Sequence, residues 1–189
     1  LHKEDAMIDE LIHKINKQQS QLEELKSLGN SVLLKNPSDN GWCIAECLAH
    51  MNLAMEIYLD QFESMKDRLQ PEKNAYKPAF LVNQLIQSQP PDKKGKIRFK
   101  ISTMKRLDPR KTGKPADRSV IERQERNLSR LLQFLESMKG KDTRSFKVET
   151  VLGPIIKLYA GDAAQFITAH NERHFKQIRN ILEKTGVQA

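Results

Sequence analysis

The stretch Ile44-Ala45-Glu46-Cys47-Leu48-Ala49-His50-Met51-Asn52-Leu53-Ala54-Met55-Glu56-Ile57-Tyr58-Leu59-Asp60-Gln61-Phe62 decides the fold class. Its residues Ile44, Leu48, Met51, Met55, Tyr58, Leu59 and Phe62 recur at three- and four-residue spacings, the repeat of a helix with one broad buried face. No glycine or proline interrupts it. The spacing predicts a helix from about Gly41 to Leu69, ending before Pro71. Ser38 or Asp39, in the turn cluster that precedes it, is the expected N-cap.

Three more segments carry the same period. From about His2 to Leu28, Ile8, Leu11, Ile12, Ile15, Leu22, Leu25 and Leu28 form one stripe, and Gly29 supplies a stop. After Pro115, Val120, Ile121, Leu128, Leu131, Leu132, Leu135 and Met138 predict a helix to about Lys139, ended by Gly140. The last helix is expected from Asp162, as N-cap, to near Gly186, with Phe166, Ile167, Ile178, Ile181 and Leu182 on its buried side. Between Tyr76 and Ser88 there is room for one or two helical turns. Residues 90–115 have no sustained period and read as an extended crossover, and residues 142–159 read as irregular around a Gly153-Pro154 turn. The expectation is an all-α four-helix bundle with a long crossover between its second and third long helices, a single domain over residues 1–189.

Composition narrows the function classes. The chain has 189 residues, 38% hydrophobic and 30% charged, enough for one domain with a real core. No apolar run approaches the ~20 residues of a membrane span, and no signal-peptide pattern opens the chain. A cytoplasmic location with no membrane partner is therefore expected. The chain opens on Leu1 rather than Met, which leaves room for initial residues or a removed leader before it.

The net charge of +8 is concentrated. Between Asp92 and Lys114 stand ten basic residues (Lys93, Lys94, Lys96, Arg98, Lys100, Lys105, Arg106, Arg110, Lys111 and Lys114) against Asp92 and Asp108, a local excess equal to the whole net charge. The segment reads as a solvated loop, or as an anion-attracting rim beside a ligand pocket. Phe99 is its one aromatic residue, too little to stack on bases, so no nucleic-acid partner is expected.

Histidine carries the chemistry. His170 and His174 are four apart on the last helix, and Phe166, His170, His174 and Ile178 follow one another at one-turn steps. Two imidazoles thus stand in a stripe that flanking turns fill with Phe and Ile. His50 has Cys43, Cys47, Ala54 and Ile57 as uncharged one-turn neighbours, with Glu46 slightly to the side. An inward histidine also fits a hydrogen-bonded core residue. The paired spacing additionally fits two ligands for one metal, and bundle interiors are where facing helices build such sites. Three imidazoles leave a fourth position for water or substrate, the pattern of a catalytic rather than a structural zinc site. His2 and His13 lie outside the pattern, as surface residues. Cys43 and Cys47 share a helix face with His50. They read as small buried core residues, with an extra ligand or a redox response as the sharper alternative. Glu46 and Glu172 are candidates for contacts around the ligands, neither in a convincing position for a general base.

Two motifs resemble the DinB-like superfamily, also called the YfiT-like metal-dependent hydrolases. Gly41-Trp42-Cys43-Ile44-Ala45-Glu46-Cys47-Leu48-Ala49-His50 is similar to that family's Trp followed by Leu-x-His. His170-Asn171-Glu172-Arg173-His174-Phe175-Lys176-Gln177-Ile178 is similar to its His-x-x-x-His followed by Gln-Ile. The resemblance implies a divalent metal, zinc or nickel, held by His50, His170 and His174, and a homodimer. It also implies a metal-dependent hydrolase or a thiol S-transferase acting on a small-molecule substrate, the latter with a low-molecular-weight thiol. A non-catalytic metal-binding or stress-response module is the alternative.

Overall fold

The computed structural model describes residues 3–71, 80–92, 95, 103–113 and 116–186. In chain order its elements are α1 (Lys3–Lys26), α2 (Asn30–Leu33), α3 (Ile44–Met65), α4 (Phe80–Gln87), α5 (Ser119–Ser137), β1 (Lys147–Thr150), β2 (Gly153–Tyr159) and α6 (Ala160–Thr185). Among the described residues the fold is all-α apart from one small hairpin. The long helices α1, α3, α5 and α6 form a four-helix bundle.

All seven periodic residues of α3 are buried. That face packs on α5 and α6, and α1 packs on the same two helices from the other side. Helices α1 and α3 therefore lie diagonally across the bundle, although they are the first two long helices of the chain. The connection from α1 to α3 is accordingly not a simple hairpin. Aromatic rings pack together in the core: Phe62 stacks on Phe134 with centroids 4.0 Å apart, and Phe146 and Tyr58 border the pair.

Buried amides set the register between helices. Asn127 donates to Asn52 Oδ1 at 3.0 Å, and Asn52 donates to the Val120 carbonyl at 3.0 Å, tying α3 to α5. Gln18 donates to the Thr168 carbonyl at 3.1 Å and accepts from Asn171 at 3.3 Å, tying α1 to α6. A one-residue slip would leave these groups unpaired in an apolar interior, at about 1–3 kcal/mol each.

Three boundaries differ from the sequence expectation. Helix α3 begins at Ile44, and its N-cap is Cys43 rather than Ser38 or Asp39. The Cys43 thiol accepts from the Glu46 N–H at 3.4 Å while Glu46 Oε2 accepts from the Cys43 N–H at 2.8 Å, a reciprocal capping box. Helix α6 begins at Ala160, before Asp162, because its first N–H groups find backbone acceptors. Ala160 donates to the Phe146 carbonyl at 3.0 Å and Gly161 to the Thr143 carbonyl at 2.8 Å. That approach needs glycine: a Cβ on Gly161 would stand 2.6 Å from Thr143 Cβ.

The third difference is the largest. Residues within the segment expected to be irregular form the antiparallel pair β1–β2. Val148 and Thr150 face inward, and helix α3 finishes the strand's hydrogen bonding. Gln61 donates to the Glu149 carbonyl at 3.1 Å and accepts from the Glu149 N–H at 2.7 Å. Tyr58 Oη accepts from the Val151 N–H at 3.2 Å. A two-stranded hairpin is marginal alone, and docking on α3 is what holds it.

Candidate metal centre

Helices α3 and α6 bring His50, His170 and His174 together. One ring nitrogen from each lies within 4.8 Å of those of the other two. His50 Nε2 stands 3.3 Å from His170 Nε2. Four ligands at Zn–N distances of ~2.0–2.1 Å in a tetrahedron place their nitrogens about 3.3 Å apart, so this edge already has the spacing a bound ion requires.

In His50 and His174 the outer nitrogen fixes which atom points inward. His50 Nδ1 is 2.8 Å from the Leu107 carbonyl, which only accepts, so Nδ1 carries the proton and Nε2 keeps its lone pair for the centre. His174 Nδ1 donates to Gln177 Oε1 at 3.0 Å, which likewise frees Nε2. Trp42, half-buried, packs its ring 5.1 Å from that of His50. The donor set and its outward hydrogen bonds fit a divalent transition metal. Replacing Gln177 by Leu is expected to lower zinc affinity about 10–100-fold with the fold intact, read by competition against a chelator.

The electrostatics favour neutral imidazoles. Burial lowers all three below the ordinary value of 6.5, His170 to about 3, with His50 and Arg173 reinforcing the shift at His170. Between that value and 6.5 the unfolded chain binds a proton at His170 that the folded chain refuses. Stability of the metal-free protein is therefore fully present above about pH 6.5 and declines as pH falls towards about 3. Urea unfolding from about pH 7 to about pH 5 should show the midpoint falling with acid.

The crossover braces this site. Arg106 donates to the Thr150 and Val151 carbonyls at the hairpin turn, and the next residue, Leu107, holds His50. Arg110 donates to Glu46 Oε2 at 2.9 Å and to the Gly41 carbonyl at 2.7 Å, clamping the start of α3. Lys111 pairs with Asp108 at 3.2 Å. These three cations are thus engaged with the protein itself. Lys105 is exposed, while Lys93, Lys94, Lys96, Arg98, Lys100 and Lys114 lie outside the described residues.

Glu46 is committed to the cap and to Arg110. Glu172 lies beside Lys14 on the α1 side, 3.9 Å away. Neither carboxylate lines the cavity at the imidazoles. Cys43 and Cys47 are buried free thiols, outside the three-histidine group, and burial pushes both up from the ordinary thiol range. They act as core residues and, for Cys43, as a cap. His13 is exposed, and His2 lies outside the described residues.

A family model described as the DinB superfamily matches residues 15–178. The chain belongs to the DinB superfamily. Its structure is similar to that of YfiT from Bacillus subtilis, described as "a probable metal-dependent hydrolase with an unusual four-helix bundle topology". That likeness covers 96% of this chain and 89% of the other, with a TM-score of 0.56 and 14% sequence identity. At such identity it concerns the fold. None of the curated proteins compared with the sequence matches it significantly.

Beside the imidazoles of this DinB-superfamily protein lies a cavity of about 170 Å³. Hairpin residues Val151, Leu152 and Ile156 wall one side, with Leu85 of α4, Met104 of the crossover and Phe166 of α6 on others. The hairpin and the crossover were the parts of the site that periodicity missed. The alternation of Phe146, Val148 and Thr150 was a signal for the strand, too short to stand out from a turn-rich segment. Among the described residues, no helix is long and apolar enough to cross a membrane.

Proposed function

We propose that this DinB-superfamily protein is a metal-dependent enzyme for a small molecule, with zinc or nickel held by His50, His170 and His174. The observation that carries the reading is the apolar cavity opening directly on the three imidazoles. A structural metal site is closed by protein ligands, whereas this one has room for a reactant at the fourth position. The YfiT description as a probable metal-dependent hydrolase supports the same reading.

A divalent ion there supplies Lewis acidity, which lowers the pKa of a thiol or water reaching it. The chain's own residues do the rest. Leu107 and Gln177 hold the His50 and His174 rings in the tautomers that present Nε2. The hairpin and Phe166 form an apolar wall beside the imidazoles. Among the described residues no carboxylate lines the cavity to take a proton. That favours thiol transfer over hydrolysis, because a free thiol ionises near pH ~8.5 and water only near ~15.7. Hydrolysis is the second form of the same reading.

The test is activity profiling of zinc- and nickel-loaded protein. A low-molecular-weight thiol with a chloro-dinitrobenzene, and separately an ester panel, are the substrates. Turnover that disappears in His170→Ala is the expected result. Stoichiometric metal with no turnover of any pair would instead make the protein a binding module.

A further inference from the structure

The residues around the cavity divide by exposure. His50, Leu107, Val151, Leu158, Phe166 and His174 are each 9% exposed or less and close its inner end. Met104, Leu152 and Ile156 also line it, but they are 37%, 52% and 45% exposed and form its mouth. Among the described lining residues, every one that is exposed is a large apolar residue. A single exposed leucine is ordinary, whereas three apolar side chains gathered at the mouth of one cavity mark a binding surface. Arg106 fastens the crossover that carries Met104 to the Thr150 and Val151 carbonyls of the hairpin turn.

Only one face of the hairpin takes part. Leu158 pairs with Val148 and Lys157 with Glu149, so by strand alternation Ile156 and Leu158 share the cavity face. Ile155 shares the opposite face with Lys157 and does not line the cavity, although it is 95% exposed. The size of the cavity then sets what reaches the mouth. A dry apolar cavity of about 150 Å³ holds benzene, a six-carbon body, and this one is about 170 Å³. An unbranched chain of more than about six carbons fills it and continues past the mouth onto Met104, Leu152 and Ile156.

We propose that the ligand of this cavity is an amphiphile with an unbranched alkyl chain of about eight to ten carbons. Its polar head lies at the imidazoles, and its outer carbons lie on Met104, Leu152 and Ile156. Calling that ligand the substrate rests on the metal-enzyme reading, while the seat for the chain does not need the metal. A protein partner placed on the same three residues would seal the cavity from its own reactant. A chain threaded through the mouth uses the inner wall and the mouth together.

Burying a methylene fully improves affinity about fourfold, and covering it on one side about twofold. The probes are 1-hexanol, which the cavity can hold, and 1-decanol, which must extend over the mouth. Titrated into the metal-free protein and followed by methyl NMR, their Kd values should differ by about tenfold or more. The Met104 and Leu152 methyl resonances should shift further with decanol than with hexanol, and that of Ile155 with neither. The double variant Leu152→Ser, Ile156→Ser should cut the ratio to within about threefold, and Ile155→Ser should keep it. Both mouth residues are half-exposed, and the resonance shifts of the unaltered chain decide the matter if the double variant folds poorly.

A wild-type ratio within about twofold overturns the proposal. So does a full ratio that survives in the double variant, or one that Ile155→Ser lowers as much. Sedimentation of the wild type tests the other occupant. A dimer that the double variant dissociates, together with a flat alcohol ratio, would make the mouth a contact between copies and overturn the alkyl seat. Failure of the protein to take up zinc, with the ratio intact, would remove the metal-enzyme reading and leave the seat. Zinc-dependent turnover with a flat ratio would remove the seat alone.

Discussion

His170→Ala is expected to abolish the thermal stabilisation that zinc gives the wild-type protein. An ion that binds the native state alone stabilises it by about 2.7 kcal/mol at a free concentration one hundred times its dissociation constant. For a chain of this length each kcal/mol moves Tm by about 2–4 °C, so the wild-type shift is roughly 5–10 °C. His170 is the choice because its ring stands next to both others, with centroids 5.2 Å from His50 and 4.5 Å from His174. Its loss leaves two imidazoles, too few for a tight site. Alanine is the best helix former, so α6 should persist. Scanning calorimetry with and without zinc, with elemental analysis of the protein, reads the result. A variant that keeps the full zinc shift and one equivalent of metal would sink the three-histidine assignment.

Phe62→Ala should cost about 3–5 kcal/mol of stability. Phe62 is fully buried and stacks on Phe134 across the α3–α5 contact, with planes 5° apart. Phe134 in turn meets Phe146 at 6.3 Å, just ahead of β1. Removing the ring leaves a cavity that rigid helices cannot close, and it loosens the support under the hairpin. Tm should fall by roughly 6–20 °C. A matched control is Ile155→Ser at the hairpin, where the side chain is 95% exposed; its effect should stay within about 0.5 kcal/mol. If the two substitutions cost the same, the aromatic stack is not the centre of the core.

The helices were legible because their signal is local and repeated. Ile44 to Phe62 contains five turns of evidence for one face, and every residue read as apolar on that face is buried. The three histidines were legible for the same reason. His50, His170 and His174 stand on stripes that also carry Cys47, Ala54, Phe166 and Ile178, and the fold brings them together. That they form one group rather than separate core histidines was not a matter of period. It depended on α3 and α6 packing face to face.

Element ends were less legible, because caps are decided by whichever acceptor arrives. Ser38 and Asp39 have the usual chemistry, yet Cys43 caps α3, helped by Glu46 and Arg110. Asp162 has the usual chemistry too, yet carbonyls of Thr143 and Phe146 receive the first N–H groups of α6. The β1–β2 hairpin was hidden for a related reason. Its hydrogen-bonding partners Gln61 and Tyr58 lie 88 and 93 residues away in sequence.

The sequence by itself determined four amphipathic helices, a basic crossover and three inward imidazoles, since each follows from residue type and short-range spacing. Only the tertiary structure decided what surrounds those imidazoles. It set the diagonal placement of α1 and α3, the brace of Arg106 and Leu107 between hairpin and His50, and the cavity with Met104, Leu152 and Ile156 at its mouth. The physical reason is separation along the chain: periodicity reports which way a side chain faces, and contacts between distant segments decide what it meets there.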